Sequence, residues 1–259
     1  MKAIDVDLLK EFLDDKVRLY NRPDFISLDP ISIPHSFSKK EDIEISGFLA
    51  ATIAWGQRPV ILRNARLLMQ LMDDAPHDFI MGFNKADLKR FNKFKHRTFN
   101  HIDCISFLHH LSDVYRNKGG IERIFLEGIK KDQTDLLQSI TTWRKIFCSG
   151  SHSKRSEKHF SDPSRGSAAK RLNMFLRWMI RKDKAGVDFG IWKSISPALL
   201  SCPLDVHSGR VARKLGLLKR TQDDWKAVAE LTQSLRKLDP NDPVKYDFAL
   251  FGLGVSEKF

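Results

Sequence analysis

SAAKRLNMFLRWMIR, residues 167–181, sets Ala168, Leu172, Phe175, Leu176 and Met179 at spacings of three and four, with Lys170, Arg177 and Arg181 on the opposite side. That is the period of an amphipathic helix. Ser167 reads as its N-cap, which makes Lys170 the third helical residue. The same period recurs outward in both directions. Upstream, Leu9, Phe12, Leu13, Val17 and Tyr20 form a stripe behind a cap at Asp5 or Asp7, and Pro23 and Pro30 then enforce a loop. An apolar segment from Ile45 to Trp55 stops at Gly56, and Pro59 opens a helix over Val60 to Met72. A Lys- and Phe-rich stretch reads as irregular. Asn100 then starts a helix carrying Ile105, Leu108, Leu111 and Tyr115, closed by Gly119-Gly120, and shorter helices follow near 121–129 and 135–147. Downstream, helices are expected over 206–215, 224–238 and 244–251, the second behind a capping-box variant of Thr221 and Asp224. Sustained period-two alternation is absent and no segment repeats. The chain reads as all-α.

Residues 148–166, CSGSHSKRSEKHFSDPSRG, interrupt the pattern. Their composition suits a solvated, mobile linker, or a loop ordered by phosphate. They divide the chain into lobes at about 45–150 and 167–259, the latter with the N-terminal helix.

Lys and Arg number 44 against 32 Asp and Glu, a formal charge of +12. Such an excess makes a polyanion the first partner to expect, although a basic protein without a nucleic-acid role fits it too. No run of eighteen apolar residues occurs, so no membrane span is expected. The start, MKAIDVDLLKEFLDD, has acidic residues where a secretory signal needs an apolar core, which points to the cytoplasm. Cys104, Cys148 and Cys202 are too few for a four-thiolate metal site and read as reduced, partly buried side chains.

Three segments carry candidate chemistry. In the first, Lys170 near a helix start opposes the helix dipole, whose field favours the neutral amine that a nucleophile requires; a surface lysine fits the same position. In the second, PLDVHSGRVARKLGLL (203–218), Asp205 precedes a helix among His207, Arg210, Arg213 and Lys214. It reads as an N-cap that stays ionised and could stabilise a positively charged, sugar-like transition state or orient an attacking group. In the third, FLAATIAWGQRPVILRNA (48–65), Gln57 and Arg58 sit at a break between helices, where a polar group can reach a base edge or a phosphate, or simply connect two helices. Trp55, Trp143, Trp178 and Trp192 could stack on a base or fill the core. Asp247, within YDFALFGLG, needs a partner if buried: a basic core residue, or the edge of a base.

In this order the three segments resemble the helix-hairpin-helix (HhH-GPD) DNA glycosylase superfamily. The first helix pair with its Gln is similar to FLAATIAWGQRPVILRNA, and the Val-Asp-x-His/Tyr-x-x-Arg-Val signature is similar to PLDVHSGRVARKLGL. Endonuclease III-like members carry their lysine in a Leu-Pro-Gly-Val-Gly-x-Lys hairpin, absent here. The closer match is the archaeal 8-oxoguanine glycosylase branch, whose lysine opens a helix further upstream, as Lys170 does 35 residues before Asp205. The stretch from GSAAKRLNMFLRWMIR through DPVKYDFALFGLG also resembles a bacterial family thought to belong to the superfamily.

The resemblance implies a two-lobed helical body with a cleft between lobes, holding bent double-stranded DNA with a damaged nucleotide flipped out. It implies base-excision repair by a glycosylase and abasic-site lyase, with Lys170 attacking C1′ and Asp205 stabilising charge. Gln57 would fill the space of the displaced base, Arg58, Arg177, Arg181, His207, Arg210 and Arg213 would contact DNA, and Asp247 could line the base site. No metal or organic cofactor is required, and a nucleoid-associated monomer is expected. A catalytically inactive DNA-binding protein of the same fold is the alternative. A nuclease would need a carboxylate cluster for two metals, and the sequence offers none.

Overall fold

The computed structural model describes residues 5–149 and 154–259. Part of the basic segment, residues 150–153, lies outside them. The chain is mostly helical, with α1 (Val6–Tyr20), α2 (Lys40–Thr52), α3 (Arg58–Leu71), α4 (Pro76–Gly82), α5 (Lys85–Leu88), α6 (His101–Asn117), α7 (Ile121–Glu127), α8 (Leu137–Phe147), α9 (Lys170–Ile180), α10 (Val206–Lys214), α11 (Trp225–Leu238) and α12 (Tyr246–Val255). Between α5 and α6 stands a two-stranded antiparallel hairpin, β1 (Lys95–His96) and β2 (Phe99–Asn100). No helix of the described residues is long and apolar enough to cross a membrane.

Two compact units divide the chain. One comprises Met1–Ser27, Lys131–Leu137 and Asp162–Phe259, and the other Leu28–Lys130 and Gln138–Ser161. The first is organised around α12, whose residues 246–250 and 252–254 are all buried. Its two glycines set how closely neighbouring helices approach. A Cβ on Gly252 would lie 2.2 Å from the Tyr20 ring of α1, and one on Gly254 would lie 3.0 Å from His207 Cβ of α10. Only hydrogen at both positions lets α12 lie directly against α1 and α10. The start of α10 is thereby fixed against the core. Asp5 caps α1, accepting from the N–H groups of Asp7 at 3.0 Å and Leu8 at 3.4 Å.

The second unit has an aromatic core. Phe48 of α2 meets Trp143 of α8 edge-on at 5.3 Å, and Trp143 stacks on Phe125 of α7 at 5.3 Å. Phe160, beyond the basic segment, stacks on Phe107 of α6 at 4.4 Å. The capping box at α6 pairs Asn100 with Asp103.

Several boundaries differ from expectation. α2 begins at Lys40, because Glu44 is drawn into the core by Tyr115, whose hydroxyl donates to its carboxylate at 2.7 Å. The stretch read as irregular contains α4, α5, a 3-10 turn at Lys89–Lys93 and the hairpin. Asp224, not Thr221, caps α11, accepting from Ala227 N at 3.0 Å while paired with Arg220. The described part of 148–166 is no solvated linker. It forms 3-10 turns at Lys154–His159 and Pro163–Arg165, with Ser156 and His159 buried. A carboxylate orders it: the fully buried Asp103 accepts from Ser156 Oγ at 2.8 Å and from Arg155 at 2.7 Å.

Candidate functional site

The start of α9 is unusual in its backbone. Ala169 has φ +47° and ψ +34°, a left-handed conformation that costs an alanine about 1 kcal/mol, and it provides no side-chain cap. Ser167 is not the N-cap. Its hydroxyl instead accepts from Ala169 N at 3.2 Å, and the buried Asn173 amide donates to Ala168 O at 3.2 Å. Those bonds hold the strained turn, and Lys170 becomes the first helical residue instead of the third.

From there its amine reaches Asp205. Lys170 Nζ lies 3.1 Å from Asp205 Oδ2, with 35% of the lysine side chain and 16% of the aspartate exposed, so the pair is fixed yet reachable. The amine therefore stands in an ion pair, not as an uncompensated cation in the helix field. Asp205 is the N-cap of α10. Its Oδ1 accepts from the N–H groups of His207 and Ser208, each at 2.8 Å, while Ser208 Oγ accepts from Asp205 N at 2.9 Å. Burial alone would raise its pKa, but the Lys170 ammonium and the Ser208 bonds hold the carboxyl below the usual range. Cap and ion pair use different oxygens, so one side chain serves both.

Behind this pair lies a buried charge cluster. Arg177 donates to Asp188 at 3.2 Å and to Asp247, and its guanidinium lies 4.3 Å from the Phe248 ring centroid. Arg181 reaches Asp188 at 3.0 Å, Asp183 at 2.6 Å and Asp242 at 2.9 Å. The phosphate contacts expected of Arg177 and Arg181 are thus corrected. Both arginines are buried, at 4% and 2% exposure, and bound to carboxylates, because α9 is enclosed on every side from Asn173 to Ile180. Asp247 takes the first of its two readings, a basic core partner. Burial and the nearby Asp205 charge push it up to about 6 against the pull of Arg177. The Cys202 thiol, buried near Asp247, is pushed well above its ordinary value and stays protonated.

The remaining residues of α10 divide. His207 is exposed, its ring 6.4 Å from that of Phe251. Arg210 donates to Gly254 O at 2.9 Å, tying α10 to α12. Arg213 donates to Arg220 O at 2.8 Å and pairs with Asp223 at 2.6 Å, so it braces the loop after α10. Trp143, Trp178 and Trp192 are core side chains, 1%, 0% and 0% exposed, and present no face to a base.

Gln57 and Arg58 belong to the second unit. Gln57 is exposed at the N-cap position of α3 but makes no capping bond. The turn before it is held by His96, whose Nε2 lies 3.0 Å from Trp55 O and whose Nδ1 lies 3.0 Å from the Asn64 amide nitrogen. With that amide donating to Nδ1, Nε2 carries the hydrogen given to Trp55 O. Trp55 is half-buried, stacked on His159 at 5.8 Å.

Sequence reasoning missed Asp188, Asp183, Asp242 and Ser208. Two arginines four apart, Arg177 within and Arg181 just after the otherwise apolar run 174–180, were the signal for the three aspartates. Asp-x-x-Ser at 205–208 was the signal for a reciprocal cap.

The chain belongs to the family described as "Protein of unknown function (DUF2400)", which matches residues 29–256. No curated protein and no solved structure matches it.

Proposed function

We propose that this member of the DUF2400 family is a DNA base-excision enzyme, a glycosylase and abasic-site lyase that removes an oxidised purine, 8-oxoguanine in the first instance, through a Schiff base on Lys170. One observation supports the reading above all: a half-exposed lysine at a strained helix start, 3.1 Å from an aspartate that caps a second helix. The amine and the carboxylate are the two groups that lysine-dependent excision needs, and the fold holds them together.

In this reading the bond from C1′ to the base breaks, its electron pair leaving on the base, and the Asp205 carboxylate stabilises the oxocarbenium-like charge. Nζ passes one proton to the departing base and attacks C1′ with the lone pair this frees. The C1′–O4′ bond then opens as a second Nζ proton moves to O4′, leaving a protonated imine. Loss of a C2′ proton expels the 3′ phosphate and cuts the strand. Every step uses the lysine and the sugar, so the route requires no metal or organic cofactor. His207 and Arg210 are the DNA contacts proposed on α10, and Gln57 with Arg58 those of the second unit. The two-lobed clamp, the cleft, monomeric state and nucleoid association that the superfamily implies belong to the same proposal.

Incubation with duplexes that each carry one lesion tests it. Release of the free base, with strand cleavage, is expected for an oxidised purine. Salt-dependent binding without release from any lesion would instead mark a DNA-binding protein that lacks the chemistry.

A further inference from the structure

Residues 45–72 and residues 88–102 both lack acidic residues and both carry cations. The first stretch has Arg58, Arg63 and Arg66, and the second Lys89, Arg90, Lys93, Lys95 and Arg97. The fold of the second unit joins them, since His96 bonds Trp55 O and the Asn64 amide donates to Lys95 O at 3.4 Å. Lys93, Lys95 and Arg97 are exposed, and among the described residues none of the three has a carboxylate within salt-bridge distance. The hairpin tip is also held in an expensive conformation. Arg97 has φ +53°, in the first loop position between the His96–Phe99 pair, where short hairpins favour Gly, Asn or Asp. Its side chain lies over Gly56, where a Cβ would meet Arg97 Cδ at 3.1 Å and Nη1 at 3.2 Å. A cation kept at a left-handed position, with a glycine making room for it, is positioned and not merely solvated.

We propose that the hairpin tip, with Lys93, Lys95 and Arg97 beside the Gly56–Gln57 turn, is a phosphate-gripping surface for a DNA backbone. Three exposed cations with no carboxylate within salt-bridge distance complement a row of phosphates, and Gln57 at their edge adds a group able to reach a base. This surface rests on the reading of DNA as the substrate, but not on the chemistry of Lys170.

The test is binding of undamaged duplex by fluorescence anisotropy from about 50 to 200 mM salt. The triple variant Lys93→Gln, Lys95→Gln, Arg97→Asn keeps the fold, because the side chains are exposed and Asn accepts positive φ; circular dichroism checks this. Its log K against log salt slope is expected to fall by about 3, near 0.9 per phosphate contact. Lys226→Gln with Lys237→Gln, on exposed positions of α11, should leave the slope unchanged. An unchanged slope in the triple variant, an equal loss per charge in the control, or wild-type binding of polyglutamate as tight as of duplex overturns the proposal. Borohydride trapping on abasic DNA, run in parallel, separates the two readings. Loss of slope without wild-type trapping retains this surface and removes the excision chemistry, while intact trapping with an unchanged slope does the reverse.

Discussion

Arg177 and Asp247 form an ion pair inside the first unit, with 5% and 9% of their side chains exposed, and Asp188 completes the arginine's coordination. Around them two arginines face four carboxylates: Asp183, Asp188, Asp242 and Asp247. Burial is the first cause that raises both Asp242 and Asp247; the Asp239 and Asp188 charges add to it at Asp242 and the Asp205 charge at Asp247, against the pull of Arg181 and Arg177.

A pH dependence follows from Asp247. A carboxyl raised in the folded state binds its proton more tightly folded than unfolded. Its contribution to stability is therefore full below about pH 4 and is lost as pH rises through about 6. Urea unfolding from pH 4 to 7.5 should show Asp247→Asn gaining on the wild type over that range by an order of 2 kcal/mol. A wild-type-minus-variant difference that does not change with pH would remove this account of the cluster.

Arg177→Ala should destabilise the fold by about 3–5 kcal/mol, because it strands Asp247 in the interior and leaves Asp188 with Arg181 alone. Were Arg177 a phosphate contact, the same variant would melt like the wild type and merely lower the salt slope of DNA binding. Thermal melts beside anisotropy distinguish the two.

Asp205→Asn retains the cap of α10, since Asn caps about as well as Asp, and loses the charge that faces Lys170. The melting temperature should change by no more than a few degrees while base excision falls at least a hundredfold. Asp205→Ala should add a capping loss of about 1 kcal/mol. Wild-type excision by the Asn variant would reduce Asp205 to a cap.

Asp103→Asn should loosen the segment that follows residue 153. The buried carboxylate is the shared acceptor for Arg155 and Ser156, and an amide supplies only one acceptor oxygen where two are used. Trypsin should cut near Lys154, Arg155 and Lys158 at least several-fold faster in this variant than in the wild type. Equal rates would mean that the aromatic stack of Phe160 on Phe107 holds the segment unaided.

The helical class was legible because period 3.6 runs through nearly every segment, and so was the Asp205 cap, since an Asp before an amphipathic stretch satisfies free N–H groups whatever the tertiary fold. The Lys170–Asp205 partnership was not readable from spacing. It depends on the turn at Ala169, and alanine gives no local sign of a left-handed backbone. Arg177 and Arg181 read as DNA contacts on the face opposite the apolar stripe because their partners come from residues 183–188, 242 and 247, whose approach is a tertiary fact. The hairpin escaped notice because strands of two residues are too short for period two, and its turn carries Arg97 where a Gly or Asn would have marked it. The basic segment looked like linker by composition, but Ser156, His159 and Phe160 are buried.

The central claim is that Lys170 is the amine that becomes covalently bound to DNA. Borohydride trapping on an abasic duplex, followed by mass spectrometry of the crosslinked peptide, tests it directly, with Lys182→Gln, Lys184→Gln and Lys193→Gln as comparisons; all three lysines are exposed. The account predicts a crosslink on the peptide containing Lys170, abolished in Lys170→Gln and kept in the other three, with duplex binding intact throughout. A crosslink that survives Lys170→Gln and disappears in Lys193→Gln, or no crosslink in the wild type, would contradict it.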